Sequence, residues 1–132
     1  MMYDLRMNYE GVIIEESLKD PSLLNQIKIV STKVEHVTEK HKTPWLKQWT
    51  LHTVEIPEDD AESFAEKISL ALETRDSWYA DFKNDGTHFI VYRNKVFKVD
   101  RSQKEEYVAA TKYGIEQGIP EYQVDFSLDA GE

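Results

Sequence analysis

Three neighbouring stretches near the middle of the chain alternate apolar and polar side chains, and they limit the fold more than any other feature. They are 77–84, 88–92 and 96–99. The first places Trp78, Ala80 and Phe82 on one side of a strand. Asp85-Gly86 follows it, and this dipeptide supplies the positive φ angles that a tight hairpin requires. The pattern predicts an antiparallel three-stranded meander, so the chain must build a sheet.

Three earlier strands are expected before this meander, at about 11–17, 27–38 and 48–56. The middle one is rich in β-branched residues, yet neither of its faces is cleanly apolar. A β-bulge or a change of face along the strand would explain this. Between the first two strands, Pro21 directly after Asp20 predicts a single helical turn.

Two helices are also predicted. The first begins at Pro57 with an acidic opening turn, where the helix dipole favours negative charge. Its apolar positions then form one stripe, which consists of Ala61, Phe64, Ala65, Ile68 and Leu72. The second helix begins near Ser102 and ends at Gly118, which Ile119-Pro120 follows as a stop signal. Residues 121–126 are expected to be extended.

This order of elements favours an α+β fold. We expect a two-layer sandwich of a mainly antiparallel sheet with two helices covering one face, ferredoxin-like or an elaboration of that plan. A chain of 132 residues suits one compact domain, and no linker or repeat divides it. The expected domain therefore spans 1–132, with 1–10 and 127–132 peripheral or frayed.

The net charge of −9 and the absence of cysteine exclude several classes of function. An acidic chain lacks the surplus of lysine and arginine needed to wrap a phosphate backbone. Without cysteine there is no disulfide, thiolate metal site or cysteine nucleophile. The sequence contains neither a signal-peptide pattern nor about 18 consecutive apolar residues, so we expect a cytosolic protein without a membrane partner. Gly-rich phosphate loops and GxSxG, HExxH and EF-hand motifs are missing, and no cofactor is predicted.

One stretch, Lys28–His52, is charged oppositely to the rest of the chain. Its five lysines against two glutamates give +3, so the other residues carry −12 and the whole chain −9. Within it, HKTPWLKQW combines cationic donors with flat apolar rings, as nucleotide and single-strand sites do. We predict a site here for an anionic small molecule or partner. The candidate ligand-binding residues are Lys40, His41, Lys42, Trp45, Lys47 and Trp49.

The alternative for this stretch is a solvated loop whose lysines offset nearby acidic surface, with Trp45 and Trp49 anchoring it to the core. Three of the four histidines also fall here, at His36, His41 and His52. Their spacings of five and eleven residues match no standard zinc signature, so no metal is predicted.

A second cluster lies on the polar side of the first meander strand. Tyr79, Asp81 and Lys83 alternate there, and His88 follows just across the Asp-Gly turn. A carboxylate, an imidazole and an amine near one another can act as acid, base and charge stabiliser. Asp81 and His88, together with Glu15, are therefore the candidates for catalysis. The alternative is a set of cross-strand ion and hydrogen-bond pairs on a solvent-facing strand.

Several segments resemble those of a family of small conserved proteins of unknown function from bacteria and archaea. They are TEKHKTPWLKQWTLHTVEIP, WYADFKND, HFIVYRNKVFKVD and KYGIEQGIPEYQVDF. The likeness covers most of the chain, from about Val12 to Phe126. It implies a freestanding cytosolic domain and no particular activity, so it assigns no catalytic or binding residue.

Three hypotheses for function remain. The first is a binding or interaction module that uses the 40–49 stretch, including a local nucleotide or single-strand contact. The second is a small enzyme that uses Asp81, His88 and Glu15. The third is a structural homo-oligomer that pairs through an uncovered sheet face. The lack of catalytic signatures favours the first.

Overall fold

The computed structural model describes residues 7–41, 43, 46–75 and 77–126, and of His41 only the backbone. Six strands occur in this part of the chain: β1 Tyr9–Ile14, β2 Lys28–His36, β3 Gln48–Ile56, β4 Tyr79–Lys83, β5 Thr87–Tyr92 and β6 Lys95–Asp100. The α-helices are α1 Ala61–Ala71, α2 Lys104–Glu116 and α3 Glu121–Val124. Short 3-10 turns occupy Glu15–Ser17, Pro21–Gln26, Glu39–His41 and Glu58–Asp60.

The six strands form one sheet in the order β2-β3-β1-β4-β5-β6, and each neighbouring pair is antiparallel. β2 and β3 form a hairpin, and β4, β5 and β6 form the predicted meander. β1 lies between these two units and pairs with β3 on one side and β4 on the other. The first strand of the chain therefore joins two local units into one sheet.

Gly11 allows β1 to approach β4 closely. A Cβ atom at this position would lie 2.0 Å from the carbonyl oxygen of Asp81 and 2.5 Å from the Cα of Phe82. Such distances are far inside van der Waals contact, so only glycine fits without moving the neighbouring strand. β1 therefore requires a glycine at the position that pairs with Phe82.

The two long helices lie on opposite faces of the sheet. On α1, Phe64 belongs to a buried cluster with Phe89 of β5, and the whole predicted stripe of α1 is buried there. On α2, Tyr107 belongs to a second cluster with Ile90 of β5. Neighbouring residues of a strand point to opposite faces, so Phe89 and Ile90 mark the two sides. We call the face under α1 the first face and the face under α2 the second face.

The α+β class and the antiparallel sheet are confirmed, whereas the ferredoxin-like arrangement with both helices on one face is not. The reason lies in β5, in which five consecutive residues, His88 to Tyr92, are buried. A strand that is apolar on both sides needs cover on both sides. One helix on each face supplies it.

Some local predictions are confirmed and others are corrected. The first strand, expected at 11–17, is β1 at Tyr9–Ile14, because Glu15–Ser17 form a 3-10 turn instead. The bulge expected in the second strand is present as a register shift between Ile29 and Ser31. Residues 1–10 are not all peripheral, because Tyr9 begins β1 and is only 5% exposed. Residues 121–126 are not extended but contain α3, which begins directly after Pro120. Residues 1–6 and 127–132 lie outside the described part.

Within the described residues, no helix combines the length and the apolar character that a membrane crossing requires.

Gly11→Ala should destabilise the protein by about 1–3 kcal/mol, because the new methyl group overlaps the β4 backbone. Urea unfolding measures this change. Gly86→Ala is the matched control, since a Cβ at Gly86 would meet nothing within 4 Å. Equal stability of the two variants would contradict the close approach of β1 and β4.

Candidate ligand-binding groove

A groove lies where the cover of the second face ends. α2 and the segment after it pack against β5 and β6, whereas Val12 of β1 is 38% exposed on the same face. At this boundary Tyr122 and Gln123 of α3 line a cleft of about 300 Å³ together with Val12 and Asp81. We call this the aspartate cleft.

Asp81 contributes a carboxylate that a buried histidine holds in place. It lies on β4, and its side chain is 30% exposed. Its Oδ2 is 2.7 Å from Nε2 of His88, which is fully buried. An ionised carboxylate only accepts hydrogen bonds, so the Nε2–H of His88 donates to it. The two residues that the sequence predicts to be neighbours are therefore in direct contact.

The imidazole of His88 is itself fixed by residues of α2 and the following segment. Its Nδ1 is 3.0 Å from the hydroxyl of Tyr107. The rings of Tyr107 and Phe126 pack edge-on against it, with centroids at 5.6 and 5.5 Å. Because the His88 ring cannot rotate, the Asp81 carboxylate that it holds keeps one orientation. A fixed carboxylate favours both ligand recognition and proton transfer.

Tyr79 attaches α3 to the sheet beside Asp81. Its hydroxyl donates to the carbonyl of Gln123 at 2.6 Å. Burial and, secondarily, the negative charge of Asp81 raise the pKa of Tyr79 well above its usual value. The phenol therefore remains a hydrogen-bond donor throughout the physiological range, and the wall formed by α3 stays attached.

A second cleft, of about 390 Å³, lies at the end of the sheet where β4 begins. It is lined by Arg75, from the segment before β4, and by Arg93, from the turn between β5 and β6. Trp49 and Trp78 line it too, and their ring centroids are 5.3 Å apart. We call this the arginine cleft. Guanidinium groups match carboxylates, sulfonates and phosphates in geometry, so this cleft offers anion recognition next to flat aromatic surface.

Local contacts fix the walls of the arginine cleft. The indole Nε1–H of Trp49 donates to the hydroxyl of Thr43 at 3.0 Å. On the opposite side, Gly118 has a φ of 93° and turns the chain after α2, as the sequence predicts. The hydroxyl of Ser77 donates to the carbonyl of Gln117, which ties this helix end to the segment before β4.

The two clefts are adjacent and share part of their lining. Four residues line both of them: Ile14, Trp49, Tyr79 and Gln123. We call the combined space the binding groove. It has arginine side chains at one end and a carboxylate, that of Asp81, at the other.

The residues predicted in the 40–49 stretch have different positions. Trp49 is buried and lines both clefts. Lys40 lines a separate hollow beside Tyr122, whose hydroxyl donates to the Lys40 carbonyl at 2.9 Å. Lys47 is exposed just before β3. Lys42, Trp45 and the side chain of His41 lie outside the described part, so the role of this stretch as a cationic rim stays a prediction.

Glu15 does not join Asp81. Its Oε1 is 2.8 Å from Nε2 of His52, and His52 pairs with Ile13 of β1, whereas Asp81 pairs with Val12. Because Ile13 and Val12 point to opposite faces, His52 and Asp81 are on opposite sides of the sheet. Glu15 and His52 thus form a separate pair, away from the groove.

The histidines of the 28–52 stretch are not gathered at one point. His36 is exposed at the end of β2, and His52 is buried beside Glu15. No group of three His, Asp or Glu side chains in the described part of the chain is arranged to hold a metal ion.

Comparisons with models of known protein families, with curated proteins and with solved structures find no match to this chain. The resemblance to a family of unknown function therefore stays a prediction, and the function has to be argued from the groove.

Sequence reasoning overlooked Arg75, Arg93 and Trp78 as members of one site. Arg75 and Arg93 belong to no motif, and Trp78 reads as an ordinary core residue of a strand. A signal was nevertheless present in the hairpin register, because Tyr79 pairs with Tyr92 and the flanking Trp78 and Arg93 therefore come to the same end of the sheet.

Tyr107→Phe should lower the free energy of unfolding by about 1–3 kcal/mol, because it leaves Nδ1 of the buried His88 without the hydroxyl. Urea unfolding followed by circular dichroism measures the loss. Tyr122→Phe is the control: its hydroxyl bond to Lys40 is exposed to solvent, and a change below about 0.5 kcal/mol is expected. A neutral Tyr107→Phe substitution would contradict the network.

Proposed function

We propose that this protein binds a small organic anion with a flat apolar body in the binding groove. The observation that carries the proposal is the pair of arginines, Arg75 and Arg93, beside the neighbouring indoles of Trp49 and Trp78, whose ring planes are tilted by 56°. Guanidinium groups recognise the anionic part, and the aromatic wall contacts the apolar part.

The dimensions of the groove support a small-molecule ligand. Ligand sites in proteins usually enclose about 300–1,000 Å³. The arginine cleft has about 390 Å³ and the adjoining aspartate cleft about 300 Å³. A ligand with one or two aromatic rings matches this space, whereas a folded protein domain does not.

The charge distribution supports recognition by a few local cations. The chain carries a net charge of −9, so its long-range field repels anions. An anionic ligand must therefore gain its binding energy from close contacts with positive groups. In the proposed site, Trp49 is the only residue from the 40–49 stretch. The positive charges come from Arg75 and Arg93, which are distant from that stretch in sequence.

Arg93→Ala should weaken binding of the fluorescent anion 1-anilinonaphthalene-8-sulfonate about tenfold, because a charge-assisted hydrogen bond is lost. Binding of the uncharged analogue N-phenyl-1-naphthylamine should not change. Fluorescence titration of the folded protein measures both affinities, and thermal unfolding verifies that the variant remains native.

Lys47→Ala is the matched control, since it removes one exposed positive charge near the 40–49 stretch. It should leave the affinity for the sulfonate within about twofold of the wild type. A larger loss with Lys47→Ala than with Arg93→Ala would favour the cationic rim of the 40–49 stretch. Failure of the folded wild-type protein to bind the sulfonate would contradict the proposal.

A second candidate function is proton transfer by Asp81, supported by its 2.7 Å contact with the buried His88. In this role the Asp81 carboxylate takes a proton from a bound molecule, while His88 holds the carboxylate in place. A suitable probe is 5-nitrobenzisoxazole, whose ring opens when a base removes its carbon-bound proton. The expected result is ring opening above the buffer rate that Asp81→Asn abolishes. Equal rates for the wild type and Asp81→Asn would exclude this role.

The homo-oligomer and the cytosolic location stay predictions. Support for self-association comes from β2, an edge strand of the sheet on which Ile29, Val30 and Val34 are 41%, 50% and 57% exposed. Exposed edge strands of this kind are able to pair with a further strand.

A further inference from the structure

We infer that the ligand of the binding groove is amphoteric: besides its anionic group, it carries a cationic, hydrogen-bond donating group that Asp81 receives. This inference rests on the proposed function and adds the second recognition element. The ligand class is an aromatic or similarly flat molecule with an acid at one end and an amine at the other.

The shared lining of the two clefts is the first argument. Tyr79 lines both the arginine cleft and the aspartate cleft, and Trp49 does the same. A molecule that lies along these two rings reaches both ends. Its anionic group then contacts the arginines while its other end meets Asp81.

The offset between the two ends along the sheet favours a ligand whose charged groups are well separated. Tyr79 pairs with Tyr92, so Arg93 lies level with position 78, three residues along β4 from Asp81. At a rise of about 3.4 Å per residue, the backbone positions of Arg93 and Asp81 are offset by about 10 Å along the strand. An α-amino acid carries its amine and carboxylate on one carbon atom, so a molecule that holds its two charged groups on different parts of a ring system suits this arrangement better.

The surroundings of Asp81 indicate the charge of the ligand group that contacts it. The aspartate cleft also contains Val12, Ile14 and Leu51, which lower the local polarity, and a second carboxylate, that of Glu35. Covering a carboxylate with apolar ligand surface is costly unless a donor or a positive charge replaces the lost water. A second anionic group on the ligand would be repelled here. The cleft thus favours an ammonium or a similar donor.

The position of Asp81 is fixed before any ligand arrives. The Nε2–H of His88 donates to its Oδ2, and Tyr107 holds the other side of the imidazole. A preorganised acceptor loses little conformational freedom on binding, so the contact with a ligand amine contributes fully to selectivity.

A pair of fluorescent probes tests this inference. The compound 5-(2-aminoethylamino)naphthalene-1-sulfonate carries a sulfonate on one ring and a protonated amine on the arm of the other. Its N-acetyl derivative retains the rings, the arm and the sulfonate but has no positive charge. The wild-type protein should bind the amine about tenfold more tightly than the acetyl compound, because the charge-assisted contact with Asp81 is lost on acetylation.

Asp81→Asn should remove this preference and leave the affinity for the acetyl compound unchanged. The asparagine carbonyl still accepts the hydrogen bond from His88, so the fold is retained. Asp85→Asn is the matched control, because it removes the same charge from an exposed turn residue and asparagine is as well suited to turns as aspartate. It should preserve the preference for the amine.

The outcomes separate the inference from the proposed function. Equal affinities of the wild type for the two probes would overturn the inference, even if Arg93→Ala still weakens both. A preference that survives Asp81→Asn would overturn it as well. If neither probe binds, the proposed function itself fails.

Discussion

The close approach of β1 to β4 at Gly11 is the contact on which the rest of the architecture depends. The hairpin of β2 and β3 and the meander of β4 to β6 are each local in sequence, and β1 joins them. It can do so because Gly11 has no side chain to displace the backbone at Asp81 and Phe82. The same contact sets the position of Asp81, whose carbonyl meets Gly11 and whose carboxylate enters the groove. The contact that closes the sheet therefore also positions Asp81 of the candidate site.

The groove exists because the second face is only partly covered. β5 is apolar on both sides and requires α1 on the first face and α2 on the second. The chain after α2 turns at Gly118 and forms α3, whose Tyr122 and Gln123 line the aspartate cleft beside Val12 of β1. The hydroxyl of Tyr79 holds α3 there. An incomplete layer over a sheet leaves a concavity, and ligand sites in proteins are concave.

Much of the local structure was predictable because it depends on short-range patterns. Strict alternation correctly predicted β3 at 48–56, and the apolar stripe predicted the buried side of α1. The contact between Asp81 and His88 followed from one tight turn. The arginine cleft was not predictable in the same way: Arg75 and Arg93 have no local pattern, and only the pairing of Tyr79 with Tyr92 brings Arg93 beside Trp78. Glu15 was grouped with Asp81 as a catalytic candidate because both are carboxylates. The structure places the two residues apart, and Glu15 contacts His52 instead.

The sequence by itself determined the strands, the two long helices, the turn signals and the uneven distribution of charge. These features depend on side chains within a few residues of one another, and alternation or helical spacing reveals them directly. Only the tertiary structure decided which face each helix covers, where β1 inserts and which charges share a groove. Alternation tells which residues share a side of a strand, but the side that a helix occupies depends on contacts between segments far apart in the chain. Tertiary packing therefore brings the arginine end and the aspartate end of the groove together.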